Sequence, residues 1–324
     1  MNSSTELLAM VNEAIANLPL EKEPTGLYAP IRYVLSMGGK RIRPVLMLMA
    51  YNLYRDDVRP CLMPAIGLET YHNFTLLHDD LMDRAEMRRG KTCVHLKWND
   101  NTAILSGDNM LVLAFQYMMQ CEAEKLPAIM HIFSQTAIGI DEGQQYDVDF
   151  ETRNDVTEAE YIEMIRLKTS ILLACALQIG AVLANAPAED VGALYRYGEK
   201  LGLAFQLQDD FLDVYGDPAV FGKKIGGDIL CNKKTYMLIN ALLHATPDDR
   251  EQLQRWIDAK APRPEEKIAA VTALYDKIGV ARMVQERIDH YFEEAKACLA
   301  QVNLPAERKR MLWQMALELM GRKS

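Results

Sequence analysis

The chain is poor in cysteine and has no useful cysteine spacing. Six cysteines, Cys61, Cys93, Cys121, Cys175, Cys231 and Cys298, are scattered through 324 residues. No pair has C-x-x-C or zinc-ligand spacing, which excludes a zinc module and points to free thiols in a reducing cytoplasm. The first 20 residues carry Glu6 and Glu13 and no basic stretch, so they do not read as a secretory leader. The longest apolar run, Ile171–Ala186, contains Gln178 and falls short of the roughly 18 residues of a spanning helix; it reads as a buried core helix. Alternating β-branched runs are nearly absent, and there is no short repeat, linker or low-complexity tract. Positive charge is outweighed overall, 36 Lys and Arg against 45 Asp and Glu, and the net charge of −9 leaves no nucleic-acid footprint.

What remains is helical periodicity. Hydrophobic residues make up 49 % and charged residues 25 %, ordinary for a globular protein. Ala, Leu and Met recur at helical spacing over Ala65–Leu81, Ala103–Met119, Ile162–Ala184, Val191–Val214 and Thr235–His244. Glycine and proline fall between these blocks, at Met37–Gly39, Gly216–Pro218, Gly222–Gly227 and Pro262–Pro264. The expected architecture is all-α: one large antiparallel helix bundle over residues 1–324, with a central cavity built from facing helices.

Two aspartate triplets of the same design lie on the predicted helices. Asp79, Asp80 and Asp83 form the first; Asp209, Asp210 and Asp213 form the second. Residues four apart share a helix face, so Asp79 stacks with Asp83 and Asp209 with Asp213. Carboxylates this close repel unless a multivalent cation sits among them. Oxygen-only ligands suit Mg2+, which combines one or two carboxylates with substrate phosphates. An acidic run is usually a solvated face, but both triplets follow apolar residues, Phe74–Leu77 and Leu207–Gln208. Two clusters facing one cavity would frame several Mg2+ ions and a diphosphate.

Basic residues able to meet that anion are present. Gly38 to Pro44 reads Gly-Gly-Lys-Arg-Ile-Arg-Pro, a turn entering a helix, and Arg43 can grip phosphate with two parallel hydrogen bonds. His72 lies two turns before Asp79. Arg88-Arg89-Gly90 follows the first triplet and can reach back to it. Lys168, beside Thr169, precedes so apolar a stretch that it must snorkel or meet an anion. Gly222 to Asp228 and Asn232 to Thr235 form a Gly/Lys loop like a phosphate lid. It is not a P-loop, since spacing and preceding strand are both missing.

The ordered set GGKRIRP, HDDLMD, RRG, GQQYD (Gly143–Asp147), KT, FQLQDDFLD and GKKIGGD…NKKT resembles the trans-isoprenyl diphosphate synthases of the polyprenyl synthetase family, from Gly38 to near Thr235. The resemblance implies an isoprenoid synthase fold, a homodimer and a cytoplasmic enzyme with no integral membrane segment. It implies that Asp79, Asp80, Asp83, Asp209, Asp210 and Asp213 hold three Mg2+ ions on an allylic diphosphate. Arg88, Lys168, Lys223 and Lys233 would contact that diphosphate. Lys40, Arg43, His72 and Arg89 would hold isopentenyl diphosphate, and Thr169 and Gln206 would line the space near the reacting carbons. The implied reaction is ionisation of the allylic C–O bond, 1′-4 head-to-tail attack by isopentenyl diphosphate and loss of a proton, in a cavity that excludes water.

In such enzymes the product grows along the helix of the first triplet. Thr75, Phe74 and Tyr71, which lie four, five and eight positions before Asp79, would set its length. A bulky Phe74, a small Thr75 and no insertion in the first triplet favour geranylgeranyl (C20) over farnesyl (C15) diphosphate. Two other readings compete. A class I terpene cyclase usually lacks a second DDxxD, and a non-catalytic partner subunit of a heteromeric synthase typically loses one.

Overall fold

The computed structural model describes residues 1–217, 225–259 and 263–321. In chain order the helices are α1 (Ser4–Ala16), α2 (Thr25–Leu35), α3 (Ile42–Asn52), α4 (Arg59–Met82), α5 (Val94–Lys97), α6 (Asp100–Met118), α7 (Leu126–Thr152), α8 (Glu158–Ile165), α9 (Ile171–Leu183) and α10 (Ala188–Tyr215). There follow α11 (Gly227–Leu230), α12 (Tyr236–His244), α13 (Pro247–Asp258), α14 (Pro264–Ile278), α15 (Val280–Gln301) and α16 (Ala306–Met320). The all-α expectation holds. Among the described residues the only strands are β1 (Met87–Arg88) and β2 (Lys91–Thr92), a two-residue antiparallel hairpin.

Local chemistry starts several of these helices. Ser3 and Glu6 form a capping box on α1, and Thr157 and Glu160 form one on α8; Asn99 and Thr235 cap α6 and α12. The expected spans at 65–81, 103–119, 191–214 and 235–244 fall on α4, α6, α10 and α12. The span expected over 162–184 is not one regular helix. It is broken by a π turn at Arg166–Ser170, between α8 and α9. Taken together, Glu158–Leu183 is long and apolar enough to cross a bilayer, but 72 % of its most apolar window is buried within the protein, as a core helix would be.

The chain separates into two compact units. The first comprises Met1–Ser134, Cys175–Leu194 and Asn303–Leu312; the second comprises Gln135–Ala174, Tyr195–Val302 and Trp313–Ser324. In the first, α4 packs along α6 so closely that a Cβ on Gly67 would lie 2.8 Å from the Met118 backbone nitrogen. Leu46, Met47, Leu48, Ile66 and Leu68 are fully buried there. The core of the second unit gathers Tyr161, Leu203, Leu207, Met237, Tyr275, Val284 and Ile288.

Candidate active site

In the first unit, α4 carries both the aspartates and the aromatics. The helix persists to its end: the Asp83 amide donates to the Asp79 carbonyl at 2.8 Å, so these two residues stack as expected. Asp79 is half-buried, Asp83 exposed and Asp80 buried. The three are therefore not equivalent. Arg88 reaches back, as its position suggested, and donates from Nε and Nη2 to Asp80 Oδ1 at 2.9 and 2.5 Å. The hairpin makes this possible. Arg89 and Gly90 both take left-handed conformations, φ 52° and 73°, the geometry of a two-residue hairpin turn, which turns the chain back.

Arg89 lies on the glycine turn before α3. Its Nη1 donates to the Gly38 carbonyl, and a Cβ on Gly39 would sit 2.7 Å from its guanidinium carbon. Glycine is required at position 39 for this approach as well as for its φ of 128°. Lys40 is exposed beside them. Arg43 Nη1 lies 3.0 Å from His72 Nε2. Arginine only donates, so His72 Nε2 accepts and the proton of the neutral ring sits on Nδ1. Desolvation, followed by the charges of Arg43, Arg89, Arg88 and Arg41, pushes the His72 pKa well below its ordinary value. Of the predicted isopentenyl residues, Arg43 and Arg89 thus place positive charge near His72, a neutral hydrogen-bonding group.

Sequence reasoning assigned no role to Arg41, which anchors this turn. It is 5 % exposed, takes φ 48°, and pairs with buried Glu69 at 2.6 Å. Asn73 also donates to Glu69, at 2.9 Å. Nothing in the spacing of Arg41 and Glu69 announces the pair, but an arginine between Lys40 and Arg43 that turns inward needs a carboxylate.

In the second unit, the π turn presents Lys168 and Thr169. Two glycines leave it room. A Cβ on Gly143 of α7 would lie 2.5 Å from the Lys168 amide nitrogen, and one on Gly202 of α10 would lie 2.6 Å from Ser170 Cα. Of the two outcomes its apolar setting allowed, snorkelling or an anion, Lys168 Nζ meets an anion: Asp147 Oδ2, at 2.6 Å. Lys233 Nζ lies 3.9 Å from the same oxygen. Burial alone would raise the Asp147 pKa, but Lys233 and Lys168 more than offset this and hold it below the usual carboxylate range. Asp147 was legible only as part of GQQYD; its part in joining the two lysines is a tertiary fact.

Thr169 Oγ1 donates to Gln206 Oε1 at 3.1 Å, and Gln206 Nε2 donates to Asp210 Oδ1 at 2.9 Å. The hydroxyl of buried Tyr161, another residue the sequence did not single out, donates to Asp210 Oδ2. Burial, with Asp228 nearby, pushes Asp210 up to about 7, against the two hydrogen bonds. Asp213 organises the following loop: its carbonyl accepts from Gly226 at 2.6 Å and its Oδ2 from the Asp228 amide at 2.9 Å. Lys223, expected on the Gly/Lys loop, lies outside the described residues.

Both motifs thus share a division of labour. The middle aspartates, Asp80 and Asp210, are buried and held by protein donors. The outer pairs, Asp79 with Asp83 and Asp209 with Asp213, are half-buried or exposed. Among the described residues no three His, Cys, Asp or Glu side chains converge on a closed metal site. The outer carboxylate pairs are a donor set of the kind Mg2+ takes, one or two carboxylates with water and substrate phosphate completing its shell.

In each unit a helix of this all-α fold ends in paired carboxylates, with arginines near the first pair and lysines near the second. The polyprenyl synthetase family model matches residues 24–275, so the chain belongs to that family of prenyltransferases. A geranylgeranyl diphosphate synthase of Methanosarcina mazei is 37 % identical over 323 residues, covering 99 % of this chain and 96 % of that protein. A geranylfarnesyl diphosphate synthase of Natronomonas pharaonis is 40 % identical over 251 residues, covering 72 % and 73 %. A crystal structure of a geranylgeranyl pyrophosphate synthase aligns over 100 % of both chains at 42 % identity, with a TM-score of 0.95.

Proposed function

We propose that this prenyltransferase condenses isopentenyl diphosphate with an allylic diphosphate, head to tail and all-trans, and stops at geranylgeranyl diphosphate. The observation that carries the reading is the ordering of α4. Aromatic Tyr71, buried, and Phe74, half-buried, come first along the helix, His72 and its arginines lie beside them, and the outer aspartates stand at the helix end.

Asp79 and Asp83, and Asp209 and Asp213, are the residues that would hold Mg2+ on the allylic diphosphate. When bound, Mg2+ supplies positive charge to the departing diphosphate. Lys168 and Lys233, held together by Asp147, would bind that anion by charge-assisted hydrogen bonds, as would Arg88. Lys223 is assigned to the same anion. Lys40, Arg43, His72 and Arg89 would hold isopentenyl diphosphate. Neutral His72 can donate through Nδ1 while Arg43 supplies charge. Thr169 and Gln206, fixed by Asp210 and Tyr161, present dipoles rather than a full charge toward the reacting carbons.

Residues 1–324 would act as one catalytic domain and pair as a homodimer. Ile104, Leu105, Val112 and Met119, which are 44 %, 60 %, 56 % and 44 % exposed on and just beyond α6, support self-association. Six free cysteines support residence in the cytoplasm.

The test is incubation of the purified protein and Mg2+ with isopentenyl diphosphate and dimethylallyl, geranyl or farnesyl diphosphate, with chromatographic sizing of the dephosphorylated products. A C20 alcohol is expected. A dominant C15 or C25 product would refute the length assignment. Cyclised hydrocarbon, or no product without a second subunit, would replace the reading with a cyclase or a partner subunit.

A further inference from the structure

A lysine outside every motif reaches the loop that bears Lys233. Lys267, on α14, is 3 % exposed. Its Nζ donates to Asn232 Oδ1 at 2.6 Å and to the Leu230 carbonyl at 3.4 Å. Burial pushes its pKa down, so placing a cation here has a cost that a methionine of similar length would avoid. Its partners explain why the chain bears that cost.

Asn232 takes φ 53°, a left-handed conformation that asparagine tolerates better than most residues. Its Nδ2 donates to the Ile257 carbonyl of α13 at 3.0 Å. The side chain of Asn232 is thus fastened on both sides, to α13 and to α14. The backbone then turns, and the Lys233 amide donates to the Asp228 carbonyl at 2.9 Å. From there the Lys233 side chain extends to Asp147. Lys267, Asn232, Lys233, Asp210 and Asp228 also line one small cavity of about 10 Å³, room for about one water molecule.

We infer that Lys267 is a positioning residue: through Asn232 it fixes the left-handed turn that aims Lys233 at the allylic diphosphate. This rests on the reading of Lys233 as a diphosphate contact. A merely structural lysine would matter to stability alone. A positioning lysine affects one substrate and acts through one neighbour.

The experiment compares wild type, Lys267→Met, Asn232→Gly, Lys233→Ala and the Lys267→Met/Lys233→Ala double variant. Methionine keeps the length of the side chain without its charge. Glycine keeps the left-handed turn at 232 without the acceptor, so it tests the same link if Lys267→Met folds poorly. Backbone hydrogen–deuterium exchange over residues 225–235 should rise in Lys267→Met and Asn232→Gly. The KM for the allylic diphosphate should rise about tenfold, with the KM for isopentenyl diphosphate within about twofold of wild type. In the Lys233→Ala background Lys267→Met should add little, the signature of two residues acting as one. Unchanged exchange, equal movement of both KM values, or fully additive losses would overturn the inference. A wild-type protein that makes no prenyl product would instead overturn the assigned reaction, and the exchange measurement would still decide whether Lys267 holds the loop.

Discussion

Truncating the aromatics on α4 separates a chain-length wall from ordinary core. Tyr71 and Phe74 lie one to two turns before Asp79 on α4, but the structure treats them differently. Tyr71 is 1 % exposed and meets Phe133 edge-on at 5.3 Å, and Phe133 meets Phe115 at 4.9 Å. Phe74 is half-buried and touches Tyr71 at 5.6 Å and His78 at 4.8 Å. Removing a fully buried aromatic costs about 3–5 kcal/mol. Tyr71→Ala should therefore lose about 4 kcal/mol. Phe74→Ala, with about half the burial, should lose about 2 kcal/mol on the same scale. At roughly 1.5 °C per kcal/mol for a chain of this size, the melting temperature should fall by about 6 °C in the first and about 3 °C in the second. The lost phenyl ring has about the bulk of one five-carbon unit, so Phe74→Ala should lengthen the product by at least one such unit. Tyr71→Ala added to it should extend products further, in a protein that melts much lower. Thr75→Phe should do the opposite and shift products toward farnesyl diphosphate, since Thr75 gives up only a local bond to the His72 carbonyl. The assay is chromatographic sizing beside a thermal melt. Unchanged chain length in Phe74→Ala, with a melting loss as large as that of Tyr71→Ala, would make Phe74 plain core and remove the structural support for C20.

Asp79→Ala or Asp209→Ala should cut turnover by several orders of magnitude with circular dichroism unchanged, whereas Asp80→Ala should also lower the melting temperature, because it leaves the Arg88 guanidinium without its buried partner; steady-state rates and melts distinguish them. Arg43→Ala should raise the KM for isopentenyl diphosphate far more than the allylic KM, and Lys233→Ala should do the reverse, because each contacts a different anion; equal effects on both constants would show the partition to be wrong. His72 stays neutral when folded, while the unfolded chain takes up a proton near its ordinary pKa of about 6.5. Proton uptake below that pH favours unfolding, so stability should rise with pH up to about 6.5 and then level, and melts of His72→Asn between about pH 5 and 7 should lose that part of the slope. Gly143→Ala and Gly202→Ala should each lower kcat by about tenfold or more, because the new methyl displaces the π turn that carries Lys168 and Thr169; a kcat equal to wild type in both would show that the turn is not a positioning device.

Much of this protein was legible before its tertiary structure, because the informative signals are local. The stacking of Asp79 on Asp83 follows from helical spacing alone, as do the helices over 65–81 and 191–214. That Lys168 would either snorkel or find an anion followed from its apolar neighbours, and the reach of Arg88 back to the first triplet followed from its position after it. Which anion Lys168 finds did not follow, since Asp147 was one of many carboxylates and only packing brings it within 2.6 Å. The unequal roles within each triplet also needed three dimensions: Asp80 and Asp79 are neighbours of identical chemistry, and burial against Arg88 makes them different. The π turn was invisible because the two glycines that leave it room, on α7 and α10, lie far away in sequence. Arg41–Glu69 and Lys267–Asn232 were hidden for the same reason. Periodicity is a property of neighbours along the chain, and it determined the helices and the carboxylate pairs; the choice of partner for a buried charge is made by residues distant in the chain, and only the tertiary structure decided it.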